Sequence, residues 1–218
     1  MRLERYREGM RTSAPFAVAV VAFGISFGVL ARAAGMGTVA PIVFSATTWA
    51  GSAQFAVAAI LGSGGAVASA ITAAILLNSR YLAMSAALAP SLAGSLLSRA
   101  LHGLAVVDES WALSARGDGT FDRDKLVGVA LTLFPAWVLG TAIGAIGGDA
   151  IGDPEALGLD AAFPALFLAL MVTQLRTRQH VIAAVLGGGI ALVLIPLAPA
   201  GVPIIAASAA ALVGVRGR

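Results

Sequence analysis

The sequence predicts an all-α polytopic membrane protein of about eight transmembrane helices, seven to eight in number, with broken or short helices among them. Three observations carry this expectation. Of 218 residues, 59% are hydrophobic and 11% charged, against about 45–50% and about 25% in an ordinary soluble domain. Mean hydropathy is +0.92. Apolar runs near the roughly 20 residues that a helix needs to cross a bilayer follow one another with short polar joints. This composition leaves no room for a separate soluble catalytic or nucleotide-binding domain.

The net charge is +3 and the sequence pI is about 10.2. The basic residues sit at the ends of apolar runs, so they read as topology signals and not as a nucleic-acid surface. There is no cysteine, which excludes disulfides and thiolate metal sites. Residues 1–13 are a mixed-charge lead, expected to be short, amphipathic and cytoplasmic. The run after it is too long for a signal peptide and is read as a retained first span.

Span 1, about 14–34, holds Gly24 and Gly28, a spacing that lets two helix backbones approach closely. Span 2, about 39–61, has a polar middle, TTWAGSAQFA, with Thr47, Thr48, Ser52 and Gln54 around Gly51. Two readings stand side by side. One is an interrupted helix whose freed backbone lines a cavity. The other is a continuous helix whose hydroxyls bond back to their own turn. GSGG at 62–65 is a tight turn.

Span 3, about 66–88, is the stretch around which the rest is organised. It carries Asn78 and Arg80 within an otherwise apolar run. An arginine at such depth costs roughly 2.5–3.5 kcal/mol, so a carboxylate partner, a wet cavity or an anionic solute must offset it. Residues 95–116 hold Arg99, His102, Glu109 and Arg116 on one expected helical stripe, with Asp108 about 100° away from Glu109. They form either an interfacial amphipathic helix or a fourth span with an inward-facing acidic pair. Counting them as a span places nearly every basic loop residue on the cytoplasmic side with the N-terminus. That favours eight spans, with the others at about 126–147, 161–175, 181–197 and 201–215. The fifth carries a row of Gly140, Gly144, Gly148 and Gly152. Its likeness to the glycine pair of span 1 hints at two related halves, 14–115 and 116–218, within one transport domain. Trp49, Trp111 and Trp137 are expected in interfacial belts, with Trp49 and Trp111 also candidates for pocket walls.

No catalytic constellation is visible. There is no phosphate-binding loop, His102 and His180 have no metal-ligand spacing around them, and no cofactor is implied. The chain is therefore expected not to be an enzyme. What remains is an intramembrane polar set: Gln54, Asn78, Arg80, Asp108 and Glu109. A zwitterionic amino acid matches it, with a carboxylate for the guanidinium fork, an ammonium for an acid or open carbonyls, and an apolar tail for the helix walls. Asp108 and Glu109 are also candidates for proton coupling, since burial raises carboxylate pKa values. The plainer alternative is a fixed Arg80–carboxylate pair that only joins helices.

WAGSAQFA at 49–56, LLNSRYLAMSAALAP at 76–90 and VVDESWAL at 106–113, with ARAAGM at 31–36 after the first glycine pair, resemble the AzlC-like branched-chain amino-acid exporters. The likeness covers most of residues 14–115. It implies a secondary transporter of the cytoplasmic membrane that expels branched-chain amino acids or analogues. It also implies a small, separate AzlD-like membrane subunit as partner, and puts the polar set at the family's motif positions. Tyr81 and Trp111 stand where variation among aromatics is expected. The competing expectations are a channel or carrier for another small organic anion or amino acid, and a scaffold subunit that transports nothing.

Overall fold

The computed structural model describes residues 4–151, 177–198 and 202–210, with scattered positions between 165 and 175. The expected sixth span and the acidic loop before it lie largely outside the described residues, as does the end of the eighth. The described chain is helical, with one isolated backbone bridge between Ala115 and Phe121.

Helix α1, Arg7–Ala33, follows directly on a 3-10 turn at Glu4–Tyr6. The charged lead is thus not a separate segment. Its residues are good helix formers, and Ser13 bonds back to the Gly9 carbonyl at 2.8 Å without breaking the helix. The helix ends in ARAAGM because Gly35 takes a left-handed φ of 81°. The amide of Met36 then reaches the Ala31 carbonyl and that of Gly35 the Arg32 carbonyl, which satisfies carbonyls the helix end leaves open.

The second expected span is interrupted. Helix α2, Val39–Thr48, stops at Trp49, whose φ of 38° is left-handed. Helix α3, Gly51–Gly62, starts two residues later. At 1.5 Å per residue the halves are about 15 and 18 Å long, each too short to cross a bilayer alone. Helix α4, Val67–Asn78, and helix α5, Arg80–Leu88, are separated only by Ser79. Together with the 3-10 turn Ala89–Ser91 they run as one helical rod, Val67–Ser91. Asn78 and Arg80 therefore flank an irregularity inside the third expected span.

Residues 95–116 are not one helix. Helix α6, Leu96–Gly103, and helix α7, Asp108–Ser114, are separate. Val107 has an extended backbone, and its amide donates to Ser110 Oγ at 2.9 Å, which starts α7 afresh. The stripe through Arg99, His102, Glu109 and Arg116 is thereby lost, because a helical register does not continue across 104–107. Helix α8, Arg123–Ile151, is the second long rod, and α9, Arg178–Leu194, and α10, Val202–Ser208, pack on each other. Glu4–Ala33, Val67–Ser91 and Arg123–Gly148 are, among the described residues, long and apolar enough to cross a membrane.

Helices α1 and α8 form the spine. A Cβ on Gly24 would lie 2.6 Å from the Trp137 carbonyl oxygen, and one on Gly28 2.6 Å from the Ala145 amide. Gly9 sits in the same way against Gly128. Position numbers rise together along both helices, so they are parallel. Ion pairs Arg5–Asp124 (3.5 Å) and Glu8–Lys125 (3.2 Å) join their starts, and Arg32 donates to the Ala145 carbonyl at 3.1 Å near their other ends. Phe27 stacks on Trp137 at 6.2 Å and meets Phe55 edge-on at 5.7 Å, filling the space among α1, α3 and α8. Trp137 is 6% exposed, so it is a core residue and not part of an interfacial belt.

Candidate functional site

Gln54 is fully buried. Its Oε1 accepts from the Ala50 amide at 3.2 Å and from Trp137 Nε1 at 3.1 Å, and its Nε2 donates to Ser45 Oγ at 2.8 Å. Ser45 in turn shares a 2.8 Å hydrogen bond with Thr141 Oγ1. This chain of bonds ties both half-helices at the break to α8. It satisfies the Ala50 amide, which would otherwise be an orphan donor at the start of α3. Gln54 therefore sits in the spine, and none of its hydrogen-bond partners is another of the polar residues predicted for the site. Ser45 and Thr141 were not singled out from the sequence, because a lone hydroxyl in an apolar run usually bonds to its own helix.

Arg80 and Asp108 come together. Arg80 Nη2 donates to Asp108 Oδ2 at 2.6 Å and to the Tyr81 hydroxyl at 3.4 Å, and the guanidinium lies 5.0 Å from the Tyr81 ring centroid. The pair joins the first residue of α5 to the first residue of α7. Each side chain keeps 27% of its surface open, so the pair is half-buried and not sealed in the core. Glu109 follows in the first turn of α7 and is half-buried. Asn78 ends α4 two positions before Arg80; its Oδ1 is shielded from solvent and has no hydrogen-bond partner.

A cavity of about 820 Å³, within the about 300–1,000 Å³ of small-molecule sites, adjoins Tyr81, the hydrogen-bond neighbour of Arg80; Arg80, Asp108 and Glu109 are not among the described residues of its wall. Asn78 and Tyr81 are in its wall. So is the end of α2, from Ala46 to Trp49, and the α8 residues Val127, Ala130, Leu131 and Phe134, which recur at helical spacing along one face. Trp49 meets Phe134 edge-on at 5.3 Å. Its left-handed backbone is costly for a non-glycine residue, on the order of 1–3 kcal/mol, and it ends α2 against the cavity. Leu101, His102 and Val106 close the side made by α6 and the joint after it. His102 Nδ1 contacts the Ser98 carbonyl; a carbonyl only accepts, so Nδ1 carries the proton and donates. Trp111 is not in the wall. It packs on Phe121 at 5.0 Å and donates to the Met84 carbonyl at 3.3 Å, holding α7 to α5.

Fold and site define an all-α membrane protein with a charged pair and a solute-sized cavity among its helices. The chain belongs to the AzlC family: the family's sequence model, described as AzlC protein, matches residues 15–151. It is 34% identical to an uncharacterized membrane protein of Archaeoglobus fulgidus over 94% of this chain and 91% of that one. It is 27% identical to the inner membrane protein YgaZ of Escherichia coli, over 88% and 84%. It is 25% identical to the branched-chain amino acid transport protein AzlC of Bacillus subtilis, over 78% and 70%. No solved structure matches.

Proposed function

We propose that this protein is a secondary transporter, not an enzyme, that exports neutral branched-chain amino acids or analogues across the cytoplasmic membrane, coupled to protons. The family and the Bacillus subtilis relative's name support the transport class. The observation that carries the reading is the half-buried Arg80–Asp108 pair, joined through Tyr81 to the wall of a largely apolar cavity. A guanidinium fork suits a carboxylate. Substrate carboxylate and Asp108 then compete for Arg80, and the displaced Asp108, with Glu109 beside it, is the candidate for the coupling proton. Leu101, Leu131 and Phe134 suit a branched aliphatic tail. Asn78 supplies a neutral hydrogen-bonding group, and Gln54 serves the site by holding the helix break in place. A small AzlD-like membrane subunit is the proposed partner, and the positive-inside rule favours an N-terminus in the cytoplasm.

The test is efflux of labelled leucine from proteoliposomes with and without an imposed pH gradient. Wild-type protein is expected to release leucine faster with the gradient. Arg80→Ala is expected to abolish release, and Asp108→Asn to retain slow release that no longer responds to pH. Absence of leucine flux under every gradient, with or without the proposed partner subunit, overturns the reading. Flux of a simple carboxylate such as 4-methylpentanoate in place of leucine supports the organic-anion alternative.

A further inference from the structure

Among the described residues of the cavity wall there is no Lys, Arg, Asp or Glu. The wall does hold His102, from α6, and imidazole is the side chain that ordinarily changes charge near neutral pH. The other titratable groups there are the phenols Tyr6, from the turn before α1, and Tyr81, from α5; a phenol ordinarily ionises at about pH 10. The end of α2 and the α8 face bring no titratable group to the wall. On its own helix His102 has Arg99 one turn back, which donates to the Ala89 carbonyl at 3.4 Å. The two ring nitrogens of His102 are not equivalent. Nδ1 donates to the Ser98 carbonyl of the same helix, so in the neutral ring the lone pair is on Nε2. Nε2 has no hydrogen-bond partner among the described residues and is not one of the unpaired polar atoms shielded from water. A proton added at Nε2 therefore leaves intact the bond that orients the ring.

We infer that Nε2 of His102 is a proton-binding site in the cavity wall, and that proton and aliphatic substrate exclude one another there. The inference rests on the transport reading and deepens it. Its physical basis is solvation. An imidazolium needs water at Nε2, and the wall to which it belongs is otherwise largely apolar, with Leu101, Val106, Leu131 and Phe134. A branched aliphatic tail in the cavity takes the place of that water. Loss of water disfavours the charged form. The ligand thus favours the neutral ring, and the imidazolium disfavours the ligand by the same factor. Such exclusion has the sign required for exchanging an inward-moving proton for an outward-moving amino acid. His102 then decides whether the cavity accepts substrate, while Arg80 and Asp108 act in the movement that follows.

The test is calorimetric titration of leucine into the purified full-length protein in detergent at about pH 8 and about pH 5.5, a range in which leucine itself stays a zwitterion. Wild-type protein is expected to bind about ten-fold more weakly at the lower pH. His102→Gln, neutral at both, is expected to bind equally at both, and His102→Arg, a fixed cation, weakly at both. Asp108→Asn is expected to keep the pH dependence of binding. Equal wild-type affinity at the two pH values overturns the inference. So does a pH dependence that survives in His102→Gln, and if Asp108→Asn then abolishes it, the proton belongs to the acid pair. Nitrogen NMR of histidine-labelled wild-type protein reads the site even if the His102 variants do not fold. The chain has two histidines, and His180→Gln removes the signal of the other. At about pH 5.5 saturating leucine is expected to convert His102 from imidazolium to the neutral ring; an imidazolium unchanged by leucine overturns the exclusion. If leucine neither binds nor moves, while isopentyl alcohol, an uncharged molecule with the same tail, still makes His102 neutral, the transport reading fails and the proton site stands.

Discussion

Arg80 and Asp108 show how one pair of side chains separates a structural from a functional account. A pair that only joins α5 to α7 is indifferent to which helix carries which sign. The exchanged protein, Arg80→Asp with Asp108→Arg, is therefore expected to keep the melting temperature of the wild type while losing leucine transport. Restored transport in the exchanged protein would show the pair to be a strut. Gln54 predicts the opposite pattern. Gln54→Leu leaves the Ala50 amide and the Trp137 indole N–H without an acceptor, at about 1–3 kcal/mol for each buried group. Thermal unfolding in detergent is expected to show a loss of at least that size. At the start of α8, Asp122 accepts from the Lys125 amide at 2.9 Å and from Arg116 at 2.7 Å. The Arg116 guanidinium holds its carboxyl below the usual carboxylate range, and the Lys125 amide adds to this. Stability from a lowered carboxylate is present above its unfolded value of about 3.9 and fades as pH falls through the lower folded value. Asp122→Ala is expected to cost about 1 kcal/mol at neutral pH. The difference from wild type should shrink below about pH 4, as read by unfolding across a pH series.

Among the elements, the glycine faces of α1 and α8 were legible because a small-residue spacing has one structural use: it lets backbones touch. Gly144→Ala puts a methyl group 2.9 Å from the Ile25 Cα, and the obstruction is backbone, which cannot swing aside. Gly147 on the same helix has open space where a Cβ would stand, and alanine is the better helix former by about 1 kcal/mol. Gly147→Ala is thus expected to leave the melting temperature unchanged or raised, while Gly144→Ala lowers it; an equal response would mean that the two rods are not in contact there. The break in the second span was legible as one of two readings, since TTWAGSAQ crowds hydroxyls and glycine at one depth. The break in residues 95–116 was not. Periodicity counts residues and does not see that Val107 can stay extended while Ser110 caps its amide. The charges at 99, 102, 109 and 116 looked like one face because the register was carried across a joint. A carboxylate partner for Arg80 was expected from Asp108 or Glu109, because the cost of an isolated arginine in lipid demands a partner whatever the helix boundaries, and of the two it is Asp108 that pairs with it.

At the scale of the whole molecule, the direction of the two rods restrains the topology. Helices α1 and α8 are parallel, with Gly9 beside Gly128 and Gly28 beside Ala145. If both cross the membrane, both do so in the same sense, and residues 34–122 must change sides an odd number of times. The rod Val67–Ser91 supplies one crossing. The half-helices α2 and α3, and the short α6 and α7, therefore either enter and leave on the same side or cross as two further units; one crossing without the other is excluded. The same parity follows from charge, since Arg5, Arg116, Arg123 and Lys125 then share a side. The sequence has no cysteine, so single introduced thiols report position cleanly. Glu4→Cys near the start of α1 and Asp118→Cys in the loop before α8 are expected to react with an impermeant maleimide only after the cytoplasmic face is opened. Labelling of the two positions from opposite faces would require antiparallel rods, and neither the glycine contacts nor the Glu8–Lys125 pair survives that arrangement.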